Sequence, residues 1–270
     1  MAPANIYLDL TREFNAGRLR AIISSGQAAV LHRLAVMSKD GDWILQEDDE
    51  ALDHVLRTLA RHGARYRFGA PLDRRWLAGG WSAHFEFNQA GLRVRADFVT
   101  RPPRIALERL AKIWKEQENR APPFVDAADL AALKKTNREK DYAVIGELAR
   151  LMPDPTDQLI YSRSARDLAA LTLRHPDLTR RLADARPLLN IISMGLAAVE
   201  EALDAERRSL IHANERRLRR YLKAAQEWSE AWPEISRNIA GKPLLEAHKI
   251  LVARAERFLP FQAAEENHDG

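Results

Sequence analysis

Apolar positions in the first hundred residues recur with two different periods. Helical spacing predicts helices over 6–16, 27–34 and 48–62. Alternating or uniformly apolar segments predict strands at 19–24, 43–45, 65–69, 82–88 and 92–100. Short strands interspersed with short helices are typical of an α+β domain.

The clearest strand signal is a hairpin of 82–88 and 92–100, joined by the turn Gln89-Ala90-Gly91. The second strand divides into an apolar face (Leu92, Val94, Ala96 and Phe98) and a more polar face (Arg93, Arg95, Asp97 and Val99). Asp97 lies between apolar neighbours on the polar face, which makes it a candidate functional residue.

Beyond Arg101-Pro102-Pro103 the pattern is helical throughout. It predicts helices over 105–118, 126–133, 164–174, 178–185 and 243–258, and a long one from 188 toward 228. The prolines of Pro153-Asp154-Pro155 disfavour helix continuation and mark a boundary. We therefore predict a first domain over 1–152, a C-terminal helical bundle over 153–262 and a disordered tail over 263–270.

Composition limits the classes of function. Apolar residues make up 46% of the chain and charged residues 30%, as in soluble globular proteins. No apolar run approaches the roughly 20 residues that span a bilayer, and no secretion signal is recognised, so we expect a cytoplasmic protein without a membrane partner. The absence of cysteine excludes disulfides, thiolate catalysis and cysteine–zinc sites. The 42 Lys and Arg residues exceed the 38 Asp and Glu residues by too little to indicate nucleic-acid binding by themselves.

The stretch 24–43 carries the candidate chemistry. An apolar strand leads through Ser24, Ser25 and Gly26 into a short helix, and such a turn leaves backbone N–H groups free for an anion such as phosphate. Asp40 and Asp42 follow that helix, and the period of a strand places both carboxylates on one face. The pattern indicates a metal–nucleotide site. The alternative interpretation is a surface turn, because Lys-Asp-Gly-Asp is also common turn chemistry.

These motifs resemble the nucleotidyltransferase superfamily that shares the catalytic fold of DNA polymerase beta, in particular small bacterial members related to abortive-infection toxins. The matching features are the Ser25-Gly26 turn followed by Gln27-Ala28, the Asp40-Gly41-Asp42 motif at the family's interval, the intervening His32-to-Lys39 run, and the apolar-Lys and Arg-x-Lys-Asp pattern within 129–141. The resemblance covers 19–150. It implies a mixed sheet flanked by helices.

By that resemblance, Asp40, Asp42 and Asp97 hold two Mg²⁺ (or Mn²⁺) ions and catalyse transfer of a nucleoside monophosphate from a nucleoside triphosphate to a hydroxyl. Asp97 is the group expected to help remove the proton of the hydroxyl. Ser25, Gly26, Gln27, Lys134 and Lys140 are expected to contact the nucleotide, with Asp141 bracing the site.

The acceptor implied by the resemblance is the 3′ end of tRNA or a protein side chain, in a toxin or defence role. A basic run, Arg207 to Lys223, favours RNA binding, although interspersed acids such as Glu206 and Glu215 are also typical of a solvated helix face. Trp43, Trp76 and Trp81 are expected to be buried.

Three residues depart from the family pattern. Ser25 stands where the first glycine is usual, Gly41 where an apolar residue is usual, and Val144 where many relatives have an aspartate. They support a second hypothesis, a catalytically inactive member that binds nucleotide or RNA. A third is an antitoxin-like role with a cognate protein partner.

Overall fold

The computed structural model describes residues 5–263, which fall into two compact units. The sheet unit takes in the described parts of 1–30, 35–125 and 218–270. The helical unit consists of 31–34 and 126–217. These limits differ from the predicted domains 1–152 and 153–262, because the last helices of the chain belong to the sheet unit. The predicted tail over 263–270 lies, except for Ala263, outside the described residues.

The fold is α+β, with a five-stranded mixed sheet and many helices. The strands are β1 (Ala21–Ile23), β2 (Gly41–Leu45), β3 (Arg65–Tyr66), β4 (Ala83–Gln89) and β5 (Leu92–Val99). Their order in the sheet is β1-β2-β5-β4-β3. β2 and β5 are parallel, and the other neighbouring strands are antiparallel. The parallel pair brings together two strands that are far apart in the sequence.

The helices follow in chain order. They are α1 (Ile6–Phe14), α2 (Ser25–Leu31), α3 (Asp49–Arg61), α4 (Arg74–Leu77), α5 (Leu107–Gln117), α6 (Ala127–Leu133), α7 (Glu139–Leu151), α8 (Pro155–Tyr161), α9 (Ala165–Arg174), α10 (Pro176–Leu182), α11 (Leu196–Ala224), α12 (Gln226–Ile239) and α13 (Leu244–Phe258), with a 3-10 helix at Pro187–Met194. No helix within residues 5–263 is long and apolar enough to cross a membrane.

One face of the sheet forms the core of the sheet unit. Trp43 of β2 stacks on Phe98 of β5, with ring centroids 5.3 Å apart, and Phe14 of α1 packs edge-on against both. Trp43 also donates its indole N–H to the Thr11 hydroxyl, so the buried nitrogen is satisfied. The predicted burial of Trp43, Trp76 and Trp81 is confirmed. The opposite face of β2 and β5 carries Asp42 and Asp97, followed by the apolar pair Ile44 and Val99.

The helical unit has its own apolar core. Its buried members include Leu159, Leu168, Leu189 and Val199. A buried arginine, Arg186, donates to the backbone oxygens of Leu159 and Ser162 and to the carboxylate of Glu206. This network fastens α8 and the segment before the 3-10 helix to α11.

Two predicted segments differ from the structure. Between the predicted strands 65–69 and 82–88, where no helix was predicted, the structure has α4, which Asp73 caps by accepting a hydrogen bond from Arg75 N–H. The long helix predicted from 188 toward 228 is instead the 3-10 helix, α11 and the start of α12. Gly195 separates the first two with a φ of 101°, a conformation that favours glycine.

The C-terminal segment 259–263 is fastened to α4 and the turn that follows it. Trp76 and Trp81 donate their indole N–H groups to the backbone oxygens of Leu259 and Pro260, at 3.1 and 2.8 Å. Ala263 N–H donates to Gly79 O at 2.8 Å. A Cβ on Gly79 would lie 1.7 Å from Phe261 O, so only glycine allows this close approach.

Candidate active site

Four charged or titratable side chains lie side by side across the polar face of the sheet. Asp42 of β2 is directly opposite Asp97 of β5, and Asp97 is directly opposite His84 of β4. Arg67 follows β3, and its backbone N–H donates to His84 O at 2.9 Å. We call Asp42, Asp97, His84 and Arg67 the acid row. Residues in such register share one face, so the two aspartates point to the same side of the sheet.

A neighbouring row contains charges of alternating sign. Asp40, one residue before β2, lies 3.5 Å from the guanidinium of Arg95 on β5. Arg95 is opposite Glu86 of β4, which is opposite Arg65 of β3. We call these four residues the paired row. Each of its charges has a neighbour of opposite sign, which is the stabilising arrangement on a sheet.

The acid row breaks this alternation at Asp42 and Asp97, a pair of like charges on adjacent strands. Burial is the largest cause that raises the pKa of Asp42, to about 7, and the charges of Asp97 and Asp40 add to it. Hydrogen bonds from Ser25 and the Gly26 backbone oppose the rise without cancelling it. A carboxylate perturbed by burial and by neighbouring acids is a candidate functional group.

Asp40 contributes an oxygen without a hydrogen-bond partner. Its Oδ1 is buried, and no described residue donates a hydrogen bond to it. The nearest cation to this oxygen is the Arg95 guanidinium, whose Nη1 lies 3.5 Å away. Asp42 lies within electrostatic reach of both Asp97 and Asp40. Among residues 5–263, these three acids do not form a group whose ligand oxygens all lie within 4.8 Å of one another, so binding of one cation by all three requires the side chains to move closer together. The donor set suits Mg²⁺ or Mn²⁺, because hard cations take oxygen ligands and would neutralise the like charges.

The turn between β1 and α2 contacts this site through Asp42. Ser24 N–H donates to Asp42 O at 2.9 Å, while the Ser25 hydroxyl and Gly26 N–H donate to the side chain. Ser25 has a φ of 49°, in the left-handed region that favours glycine, which is the residue usual there in the family that the motif resembles. A Cβ on Gly26 would lie 2.3 Å from Ser38 Oγ. A Cβ on Gly26 would therefore displace the Ser38 side chain, and the backbone strains Ser25.

Gly41 fits a close contact on the apolar side of β2. A Cβ there would lie 2.3 Å from Trp43 Cη2 and 2.5 Å from Tyr7 Cδ1. The Tyr7 hydroxyl donates to Lys39 O at 2.7 Å. Gly41 pairs with Ala96 as a regular strand residue, so a glycine at this position, where the motif usually has an apolar residue, leaves β2 intact.

The remaining predicted nucleotide contacts have other partners in this structure. Gln27 is buried, and its side-chain amide donates to Ser38 O at 3.2 Å. In the helical unit, Lys134 is buried with its Nζ 3.4 Å from Asp141 Oδ1, and Asp141 also accepts from Thr136 and Arg138. Burial raises the pKa of Asp141, but these partners outweigh it and hold the pKa below its ordinary value. Lys140 is exposed.

His84 and Arg67 were missed by the sequence reasoning. His84 Nδ1 lies 2.8 Å and Arg67 Nη1 3.3 Å from the same oxygen of Asp97, Oδ1. The hairpin turn contained the signal for His84, because a two-residue turn at Ala90-Gly91 sets Gln89 opposite Leu92 and hence His84 opposite Asp97. No pattern in the sequence indicated that Arg67 would lie beside Asp97.

The basic segment predicted to bind RNA lies on α11 and is largely exposed. Its exposed basic residues are Arg208, Arg216, Arg219, Arg220 and Lys223. Arg207 is partly buried and pairs with Glu139 and Asp204. From Arg216 to Lys223 the exposed members recur about once per helical turn, an arrangement suited to a row of phosphate contacts, and Arg208 lies more than two turns before them.

Comparisons of the chain with models of known protein families, with curated proteins and with solved structures found no match. The functional interpretation therefore depends on the motifs of the sequence and on the geometry of the acid row.

Proposed function

We propose that the chain is a metal-dependent nucleotidyltransferase with the fold of that superfamily, which moves a nucleoside monophosphate from a nucleoside triphosphate to a hydroxyl. The observation that carries the proposal is the like-charge pair Asp42–Asp97 beside the Ser25–Gly26 turn, with the pKa of Asp42 raised to about 7. A structural role would favour opposite charges at these positions, as in the paired row.

Each residue has a distinct task in this proposal. Asp40, Asp42 and Asp97 would hold Mg²⁺ or Mn²⁺, which supplies charge neutralisation for the triphosphate and lowers the pKa of the attacking hydroxyl. The Ser25 hydroxyl and Gly26 N–H, which donate to Asp42, are the donors we assign to a triphosphate oxygen. Asp97 accepts the proton of the acceptor hydroxyl. The oxygen–phosphorus bond to the acceptor forms, the bond to the β-phosphate breaks, and pyrophosphate leaves.

For the acceptor we propose RNA, with the 3′ end of tRNA as the first candidate. The exposed basic residues of α11 support this choice, because backbone phosphates are bound by such rows of cations. A protein hydroxyl is the alternative acceptor, but the basic surface of α11 does not favour the binding of a protein over RNA.

The test is incubation of the full chain with each α-labelled nucleoside triphosphate, Mn²⁺ or Mg²⁺ and total tRNA. We expect label on RNA from wild type, and a loss of at least about 100-fold with Asp42→Asn, the effect typical of removing a group that acts on the transition state. Asp53→Asn is the matched control, because Asp53 is an exposed carboxylate on α3 that pairs with Arg57.

Two results would contradict this function. Triphosphate binding without label transfer to any acceptor would support the inactive, binding-only alternative. Equal transfer by wild type and Asp42→Asn would remove the acid row from the chemistry altogether.

A further inference from the structure

The imidazole of His84 is held at both of its nitrogens. Nδ1 lies 2.8 Å from Asp97 Oδ1, and Nε2 lies 2.8 Å from the hydroxyl oxygen of Ser82. The contact with Ser82 is a hydrogen bond whose direction depends on the tautomer of the ring, whereas the contact with Asp97 is a close approach of an imidazole nitrogen to a carboxylate oxygen. Ser82 directly precedes β4, and the strand period places it on the same face as His84.

A third contact holds the edge of the ring. A Cβ on Gly69 would lie 2.5 Å from His84 Cδ2, so the Gly69 backbone lies directly against the imidazole. That backbone is itself fixed, because Gly69 O accepts from the Trp228 indole N–H at 3.1 Å, and Ala70 N–H donates to Ser82 O at 2.9 Å. The ring therefore has one orientation.

This arrangement leaves the two oxygens of Asp97 unequal. Oδ1 receives both His84 and Arg67. No hydrogen bond to Oδ2 is found among residues 5–263, and the side chain of Asp97 is 23% exposed. The terminal torsion of an unrestrained aspartate side chain is broad. Contacts to Oδ1 restrict this torsion, so Asp97 loses less conformational entropy when a ligand binds to Oδ2.

We propose that His84, oriented by Ser82, is a positioning residue that fixes Asp97 so that Oδ2 is presented to a divalent cation shared with Asp42. The proposal rests on the proposed function, because it takes the same cation site as given. His84 does not bind the cation. It acts through Asp97, as carboxylate–imidazole contacts around metal sites commonly do.

The same three side chains have the connectivity of a serine–histidine–aspartate triad, with Ser82 as nucleophile. We favour positioning because Asp97 belongs to the like-charge pair, whereas the aspartate of a triad serves only its histidine. Reaction of Ser82 with a fluorophosphonate probe distinguishes the two.

The experiment measures Mn²⁺ binding to the full chain, by electron paramagnetic resonance of free Mn²⁺, in the absence of nucleotide. We expect His84→Ala to weaken binding about 10-fold, the lower end of the effect of removing such a supporting contact. His84→Asn, which keeps an N–H donor, should restore binding to within about threefold of wild type, and Ser82→Ala should lie between. His175→Ala in the helical unit is the control and should bind as wild type does.

The outcomes separate this proposal from the one on which it rests. If wild type takes up no Mn²⁺, the proposed function fails and this proposal fails with it. If wild type binds Mn²⁺ and both His84→Ala and Ser82→Ala bind equally well, only the positioning role is refuted. Fluorophosphonate labelling of Ser82 that disappears in His84→Ala would replace positioning by nucleophilic catalysis. Should His84→Ala fail to fold, the comparison of His84→Asn with Ser82→Ala still decides the question.

Discussion

Replacing Asp42 by asparagine should stabilise the fold while abolishing metal binding. The pKa of Asp42 rises from an ordinary value of 3.8 to about 7 in the folded chain. Between these pH values the folded chain keeps a proton on Asp42 that the unfolded chain has lost, so this group contributes stability at low pH that disappears as the pH rises toward 7. At about 1.4 kcal/mol per pH unit, ionised Asp42 destabilises the fold by about 4 kcal/mol above pH 7.

Asparagine recovers only part of that free energy. Its carbonyl oxygen can accept the hydrogen bonds of Ser25 and Gly26, but its NH₂ group is buried beside them and needs a partner of its own. We therefore expect a gain of about 2 kcal/mol at pH 8 without metal, or about 6 °C in Tm for a chain of this size. The gain should be complete above pH 7 and should become a loss of about 2 kcal/mol near pH 4, because Asp42 is neutral there and only the cost of the buried NH₂ group of asparagine remains.

The assay is urea unfolding of both chains in EDTA at pH 4, 6 and 8, repeated with Mg²⁺. Mg²⁺ should stabilise wild type at pH 8 and leave Asp42→Asn unchanged. Glu86→Gln is the matched control of opposite sign. Burial raises the pKa of Glu86, but hydrogen bonds from Arg93 and Arg65 outweigh it and lower the pKa, so removing this charge should destabilise the fold at pH 8 and matter less as the pH falls. An Asp42→Asn chain that is less stable than wild type at pH 8, or a difference that does not change with pH, would refute the reasoning.

Three further substitutions test the backbone around the site and the C-terminal attachment. Ser25→Gly should be more stable than Ser25→Ala by about 1 kcal/mol in urea unfolding. Both variants lack the hydroxyl, and only glycine adopts the φ of 49° without strain. Equal stabilities would mean that the strain is absent. Gly41→Ala should destabilise by about 2 kcal/mol in the same assay, since its Cβ would lie 2.3 Å from the Trp43 ring, and an unchanged midpoint would contradict that contact. Gly79→Ala should detach the segment 259–263, because the Cβ would lie 1.7 Å from Phe261 O. Faster proteolysis at the C-terminus is expected, and equal cleavage of wild type and Gly79→Ala would refute the contact.

Local patterns in the sequence were sufficient for the hairpin and for the face that Asp97 occupies. Strict alternation placed Val94, Ala96 and Phe98 inside, and all three are buried. The turn is as expected for a two-residue connection, with positive φ at Ala90 and Gly91. The predicted turn Gln89-Ala90-Gly91 is one residue longer than this connection, so the register that sets His84 opposite Asp97 became clear only from the structure. The pairing of Asp42 with Asp97 was different, because β2 and β5 are far apart in sequence and nothing local specifies their parallel register.

The limits of the compact units could not be predicted from local patterns either, because they also depend on contacts between residues that are far apart in the sequence. α13 has an apolar stripe that would serve equally in a helical bundle or against a sheet. In the structure His248 of α13 accepts or donates a hydrogen bond with Tyr66 of β3 at 2.7 Å, and Trp228 of α12 donates to Gly69 O. These contacts join residues more than 150 positions apart, at 182 and 159 residues of separation. An apolar stripe predicts that one face of a helix is buried, but it does not predict which element packs against that face.

The departures from the family motif, which suggested an inactive protein, have local explanations at two of the three positions. Gly41 accommodates Trp43 and Tyr7, and Ser25 keeps the turn while its hydroxyl donates to Asp42. Nothing in the structure explains Val144. In an inactive protein, no function would select for a like-charge pair that destabilises the fold. Substitution of either acid would remove that destabilisation. The pairing of Asp42 with Asp97, beside a paired row in which every charge is matched, is therefore the observation that favours our proposal of a cation site over the inactive alternative.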